Sequence, residues 1–393
     1  MSEIHNIVIL GGQYAGLRVA HGLLKALPNL KSPTKKNYKI IIISNTTHFW
    51  FSVGAPRAML RPYPKDNMDS FIPVSKGFTK YSSDQFEFIH AQIESLDTSN
   101  RTVAYKVKDR KENTSPETST VPFSTLVICT GSSGPDALYA LQGSHLPTLH
   151  AYEEVQNRLP SAKTVMVVGG GSAGTETAGE LGHLHGTSTS SPKDITILSG
   201  STRLLPQLRA DLGARAEEIL KGMGVKVIHD LRVTSSKKLN SGAHEVSLSD
   251  GTTRTVDLLM TATGRVPTAS FLPDSFLDKN GRVVVDNYMR LPSANLSSAY
   301  AFGDVCSISP GGLVFLQFAG PVIMGNIIAE LSGKGEGKEY KPITTKDMQL
   351  VPVGPDTGVG AAFGWWVPGF LVRMIKGKTF MFAKAPKTVD GTA

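Results

Sequence analysis

An α/β fold is predicted, built from two β-α-β units with the second inserted into the first, and closed by a small C-terminal α+β segment. Three observations predict it. A glycine-rich turn of one kind occurs twice in the 393-residue chain, as Gly11-Gly12-Gln13-Tyr14-Ala15-Gly16 near the start and as Gly169-Gly170-Gly171-Ser172-Ala173-Gly174 in the middle. Each turn follows a β-branched run (Ile7-Val8-Ile9; Val165-Met166-Val167-Val168) and precedes a helical pattern. Each unit also has its own downstream Thr-Gly pair, Thr130-Gly131 and Thr263-Gly264, and the apolar run Tyr300-Ala301-Phe302 ends in Gly303-Asp304. A strand, a tight turn and a helix in that order place a pyrophosphate on a helix N-terminus. Two such units make the chain Rossmann-like twice over, with two dinucleotides: one held, one visiting.

The elements follow in order. Residues 4–11 read as a strand and 15–27 as a helix with Leu17, Val19, Ala20, Leu23, Leu24 and Leu27 on its apolar face. Residues 28–37 form a Lys/Pro-rich loop, and 39–44 a buried parallel strand with isoleucine at its centre. Residues 86–107 alternate like an edge strand pair; the polar stretch 108–120 reads as an exposed hairpin tip, and 126–131 as the strand closing the half-domain. The second unit begins at Lys163, with a helix over 176–185, a strand over 194–198, a helix over 208–223, a strand over 225–228 and a closing element over 257–265. Residues 298–304 return the chain to the first unit. The expected divisions are 1–145 and 271–335 for the first domain, 146–270 for the inserted domain, and 336–393 for the C-terminal segment.

Composition excludes several classes. Cys129 and Cys306 are the only cysteines, without a C-x-x-C, so no disulfide scaffold and no redox cysteine relay is expected, and a reducing compartment fits. The net charge of +8 suits phosphate-bearing ligands, and no zinc spacing or basic helix points to nucleic acid. No metal-ligand pattern is present either. The first strand starts so early that no signal or transit peptide fits, Met1-Ser2 lacks the glycine for myristoylation, and no apolar run is read as a membrane span. A cytoplasmic protein is expected.

Gly11 permits the first turn, and Gly16 lets helix and strand approach closely. Gln13 replaces the middle glycine, so its side chain must turn aside or bond a phosphate itself. Gly12, Tyr14 and Ala15 complete this turn. Ser44 stands where an acid would hold ribose hydroxyls. Thr130, Gly131 and Asp304 complete the set for FAD, with the Asp304 carboxylate meeting the ribityl chain. In the second unit Gly169, Gly171 and Gly174 are all present, and Gly264 closes the site. Ser199 replaces the ribose acid and Arg203 follows it, a combination that admits NADH or NADPH because no carboxylate repels a 2′-phosphate. Glu176 is read in the first helical turn, either as an acid favoured by the helix N-terminus or as a carboxylate beside the reacting rings.

This ordered set, with Ala262-Thr263-Gly264-Arg265, resembles the pyridine nucleotide-disulfide reductase superfamily. Within it, Gly54-Ala55-Pro56-Arg57-Ala58 and the tail stretches Tyr340-Lys341-Pro342 and Asp356-Thr357-Gly358-Val359-Gly360 resemble the apoptosis-inducing-factor-like, ferroptosis-suppressor branch. The resemblance implies an FAD-dependent NAD(P)H:quinone oxidoreductase related to type II NADH dehydrogenases. It also implies that Arg57 contacts FAD phosphates and that the Ile93 backbone reaches the adenine. A lysine that relatives carry after Gly-Asp has no counterpart in residues 311–318. The expected acceptor is a quinone; a small metabolite or O2, or a nucleotide-sensing role without turnover, are the alternatives. Aromatics over 363–382 beside Arg373, Lys376 and Lys378 suit weak peripheral membrane contact, or else the core of the C-terminal segment or a homodimer contact.

Overall fold

The computed structural model describes residues 4–30, 37–61, 70–108, 118–334, 337–342 and 348–393. Most of the expected hairpin tip at 108–120 lies outside them, as does Met1-Ser2. In chain order the first part comprises β1 (Ile4–Leu10), α1 (Tyr14–Ala26), β2 (Asn37–Ser44), β3 (His48–Trp50), the short α2 (Ala55–Ala58), β4 (Phe71–Pro73), β5 (Phe86–Asp97), β6 (Thr102–Val107), β7 (Thr118–Pro122), β8 (Thr125–Ile128) and β9 (Ser132–Ser133). Next come α3 (Leu146–Arg158), β10 (Thr164–Val168), α4 (Ser172–His185), β11 (Asp194–Leu198), α5 (Ala210–Gly222), β12 (Lys226–Ile228), β13 (Val233–Lys238), β14 (His244–Leu248), β15 (Thr253–Val256) and β16 (Leu258–Thr261). The rest is β17 (Val266–Pro267), β18 (Ala299–Ala301), α6 (Gly312–Ser332), β19 (Gln349–Pro352), β20 (Gly358–Ala362), β21 (Trp365–Trp366), α7 (Gly369–Val372), a π-helical turn over Arg373–Gly377 and α8 (Lys384–Asp390).

The first sheet runs β18-β8-β1-β2-β5-β6-β7, parallel from β18 to β5 and antiparallel beyond. Ile7 to Leu10, Ile40 to Ile43 and Leu126 to Ile128 are buried throughout, as a parallel sheet covered on both faces requires. A second sheet, β12-β11-β10-β16, is wholly parallel. Because β18 pairs with β8 of the first sheet, the second sheet is an insertion within the first unit, as expected. In each sheet the strand leading into the glycine turn has neighbours on both sides, β2 and β8 for β1, β11 and β16 for β10. Both turns therefore sit at a switch point, outside the carboxyl end of a central strand, where α/β sheets bind ligands.

Several elements were not anticipated, among them α3, the β13-β14-β15 sheet and α6. α3 buries only Thr148, Tyr152 and Val155, so its periodic signal is weak. The antiparallel sheet β13-β14-β15 is mostly polar and exposed, and turns Val246, Leu248, Val256 and the half-buried Val233 onto the cluster around Met166, Val168 and Leu198. The third, α6, corrects the sequence reading. An 18-residue window of its 21 residues reaches a mean hydropathy of 1.7, long and apolar enough by length and composition to cross a membrane. Apolar residues all round it leave no 3.6-residue period to read. One face packs into the core of the first unit through Phe315, Leu316, Ala319, Ile323, Ile327 and Leu331. Two of its polar residues are tied to the surrounding chain as well. Asn326 donates to the carbonyls of Tyr288 and Lys338, and Glu330 accepts from Tyr300 and Ser298.

A core role for α6 predicts asymmetry between its faces. Ile323→Ala should cost about 2–5 kcal/mol in urea unfolding, as a buried large-to-small change does. Leu313→Ala, on the exposed side, should cost less than about 1 kcal/mol.

Candidate active site: two matched turns and a buried ionic junction

The two glycine turns are one device used twice. Gly11 and Gly169 have φ of +109° and +120°, which L side chains rarely adopt. The N–H of Gly11 donates to Ile43 O, and that of Gly169 to Leu198 O, both at 2.8 Å. A Cβ on Gly16 would lie 1.9 Å from Gly11 O, and one on Gly174 would lie 1.9 Å from Gly169 O. Helix and turn thus pack so closely that only glycine fits, and the first N–H groups of α1 and α4 face the space over each turn.

On the first side, Gln13 turns aside. Its amide donates to His48 O (2.9 Å) and accepts from Trp50 N (3.0 Å), tying the turn to β3. Ser44 lies beneath Gly12, where an added Cβ would meet its Oγ at 3.1 Å; that hydroxyl donates to Thr46 O. Tyr14 packs edge-on against Phe49, and Ala15 touches Gly303. Thr130 donates to Thr268 O, and Gly131 has φ of +66° with open space where a Cβ would stand. Asp304 comes to this end through β18: Oδ1 accepts from Gly312 N at the start of α6, and Oδ2 from Ser132 and Arg265. Arg265 is exposed and crosses from the inserted unit to Asp304 at 3.4 Å, a cation for this end that spacing alone did not single out. Ile93 lies in β5 beyond the last residue paired with β2, opposite Tyr105 of β6.

On the second side, a cleft of 290 Å³ opens between Gly171, Ala173, Thr263, Gly264, Tyr139 and, from the C-terminal segment, Gln349. Gly171 has open space where a Cβ would stand. The Ser199 hydroxyl donates to Arg203 O, and Arg203 donates to the carbonyls of Leu205, Pro206 and Leu208. Both side chains shape their own loop.

Between the two sides lies a buried ionic junction. α4 begins at Ser172, so Glu176 falls in its second turn, and the reading of it as a first-turn acid does not hold. Glu176, Gly179 and Glu180, at i, i+3 and i+4, share one helix face. Gly179 lets that face meet the backbone of Val353 and Gly354, where a Cβ would lie 2.5 Å from Gly354 N. Glu176 is paired with Lys376 of the π-helical turn, a residue the spacing could not reveal across 200 positions. Burial pushes the Glu176 pKa up, and the Lys376 cation opposes that shift.

Glu180 takes a bidentate fork from Arg57, both contacts at 2.7 Å, with Arg61 3.6 Å away. The Arg57 guanidinium also donates to the carbonyls of Gly377 and Lys378 and lies over the Phe380 ring at 4.6 Å. This differs from the expected phosphate contact: the donors of Arg57 bind the C-terminal segment and α4. Phe382 completes the clamp, its ring filling the space a Gly54 Cβ would need. Among the tail aromatics Phe380 is thus core, whereas Phe363, Trp365, Trp366 and Phe370 are exposed.

The residues present fit two dinucleotides: two glycine cradles at strand ends, open space at Gly131 and Gly171, and a carboxylate at Asp304. The pyridine nucleotide-disulphide oxidoreductase family model matches residues 5–325, and the chain belongs to that family. FAD and a nicotinamide nucleotide are the cofactors of this family. The chain is 35% identical to oxidoreductase phnG of Penicillium herquei, over 95% of this chain and 93% of that one. It is 26% identical to ferroptosis suppressor protein 1 of Xenopus tropicalis, over 100% and 98%. The sulfide:quinone oxidoreductase of Aquifex aeolicus shares the fold, with a TM-score of 0.70 at 16% identity over 99% of this chain and 92% of that one.

The Arg57 geometry separates clamp from phosphate ligand. Arg57→Met should lower stability by about 3–5 kcal/mol, since it strands a buried carboxylate. FAD affinity, titrated well below the melting temperature, should stay within about threefold of wild type, less than one tenfold step of 1.4 kcal/mol.

Proposed function

We propose that the chain is an FAD-dependent NAD(P)H:quinone oxidoreductase of the cytoplasm. The observation that carries this reading is the buried Glu176–Lys376 pair, which joins α4, three residues beyond the cleft-lining Ala173, to the C-terminal segment, whose Gln349 lines the same cleft. When bound, FAD supplies the redox chemistry, taking hydride from the nicotinamide and returning two electrons to the acceptor. The Gly11–Gly16 turn and α1 hold its pyrophosphate, with Ser44, Thr130, Gly131 and Asp304 along the remainder of the group and Arg265 adding positive charge. The Gly169–Gly174 turn and Gly264 hold the nicotinamide nucleotide.

Reducing a quinone to a hydroquinone takes two electrons and two protons; the hydride from the nicotinamide accounts for both electrons and one proton, and the other must come from a protein group. Lys376, largely shielded from water and paired with Glu176, is placed to hand the remaining proton to a quinone oxygen. The thiols take no part in this reading. Cys129 and Cys306 are both buried, and burial pushes the Cys306 pKa up to about 12, so neither offers a thiolate.

The surface over β21 and α7 supports a weak, reversible membrane contact. Trp365 (78% exposed), Trp366, Phe370 and Met374 stand out from the protein, with exposed Arg373 among them. A quinone dissolved in lipid would reach the site from this face.

Turnover should be fastest with short-chain ubiquinone analogues and slow with O2 alone; fast O2 turnover with no gain from quinone would favour an oxidase. Glu176→Gln should retain FAD and lower kcat with quinone by at least about tenfold, with the nicotinamide KM changing less. Lys376→Met removes the influence that lowers the Glu176 pKa. The Glu176 carboxyl, followed by infrared titration, should then stay protonated to higher pH, and kcat with quinone should fall by at least about tenfold because the proposed proton donor is gone.

Vesicle binding checks the surface. The protein should co-sediment with anionic vesicles at low salt and release at high salt, and a Trp365→Ser/Trp366→Ser variant should bind less. Equal recovery of both in the supernatant at low salt would leave the surface to a homodimer contact.

A further inference from the structure

At the end of β11, where dinucleotide-binding units set an acid against the ribose hydroxyls, this chain has Ser199. Gly170 lies directly over it: a Cβ there would sit 2.5 Å from the Ser199 Oγ. The adenosine ribose of a nucleotide held on the Gly169–Gly174 turn therefore belongs above Ser199 and Gly200. Neither group singled out by the sequence is free to read it. Ser199 is buried with its hydroxyl bonded to Arg203 O at 3.0 Å, and three of the five Arg203 N–H groups are held by carbonyls of its own loop.

A different arginine stands there. The turn between β12 and β13 is pinned against the strand end by Leu231 N to Ser199 O and Asp230 N to Ser201 O, both at 3.2 Å. This carries Arg232 across Gly200, where an added Cβ would lie 3.0 Å from the Arg232 Cγ and 3.2 Å from its Nε. Its guanidinium makes one hydrogen bond, to Gly200 O at 3.2 Å, and is exposed. Among the described residues it enters no ion pair. The neighbouring hydroxyls of Ser201 and Thr202 add donors, and the flanking carboxylate, Asp230, is exposed to solvent screening.

We infer that Arg232 is the residue that recognises the 2′-phosphate and makes NADPH the preferred nucleotide. The inference rests on the reading of the Gly169–Gly174 turn as the nicotinamide nucleotide site. Glycine at 200 is part of the device, because a side chain there would displace the arginine stem. A planar guanidinium with most of its donors unused suits a phosphate better than a lysine would.

The test compares 2′-phospho-ADP-ribose with ADP-ribose by calorimetry on the FAD-loaded protein, wild type and Arg232→Leu. Wild type should bind the phosphorylated ligand more tightly. Arg232→Leu should weaken that ligand at least about tenfold, a loss of 1.4 kcal/mol, and leave ADP-ribose within twofold. In turnover the KM for NADPH should rise with kcat and the NADH parameters unchanged. Arg203→Leu should instead weaken both ligands equally and lower Tm. Unchanged 2′-phospho-ADP-ribose binding in Arg232→Leu, or equal weakening of both ligands, would overturn the role of Arg232. If wild type binds neither ligand, the site reading beneath it falls as well.

Discussion

One face of α4 decides how the pieces of this chain sit together. Glu176 and Glu180 are both buried on that face, and an ionised carboxylate away from water is costly unless paired. The partners come from elsewhere: Arg57 from the first unit, Lys376 from the C-terminal segment. Arg57 then turns two further donors to the carbonyls of Gly377 and Lys378, so a single guanidinium joins three parts of the chain. A buried network of this kind adds little net stability over apolar packing, but leaving one member unpaired is expensive. Its effect is to permit one arrangement of the units and penalise the others. That arrangement sets the Lys376 amine against Leu350 O, next to the cleft-lining Gln349.

The glycines make the same kind of argument with sterics. In each turn the helix lies so near the strand end that a Cβ at Gly16 or Gly174 would collide with backbone. The chain meets two demands with one solution, and the two copies differ at Gln13 against Gly171 and at Tyr14 against Ser172. Gln13 has turned to brace β3, whereas Gly171 keeps its space open.

What was legible in the sequence is what is local. The strands around Ile7–Ile9 and Val165–Val168, both turns and the Gly303-Asp304 strand end are encoded by neighbours a few positions apart, and the return of β18 beside β8 follows from their order. The ionic junction was not legible, because Arg57 and Glu180 are separated by 123 positions and Glu176 and Lys376 by 200. Arg57 shows the cost of this. Its sequence context resembles that of a phosphate ligand, and only the fold brings Glu180 onto its guanidinium. α6 was missed for another reason: a helix apolar on every side has no period, so its burial against α1 is a tertiary fact.

The central claim is that the charges on α4 hold the C-terminal segment in place over the site. Amide hydrogen exchange on Glu180→Gln measures this directly. With the fork weakened, Arg57 should release its hold on Gly377 and Lys378, and amides over 373–382 should lose protection while β1, β2 and β10 keep theirs. Unchanged protection across 373–382 would contradict the claim, and would show that apolar packing alone positions the segment.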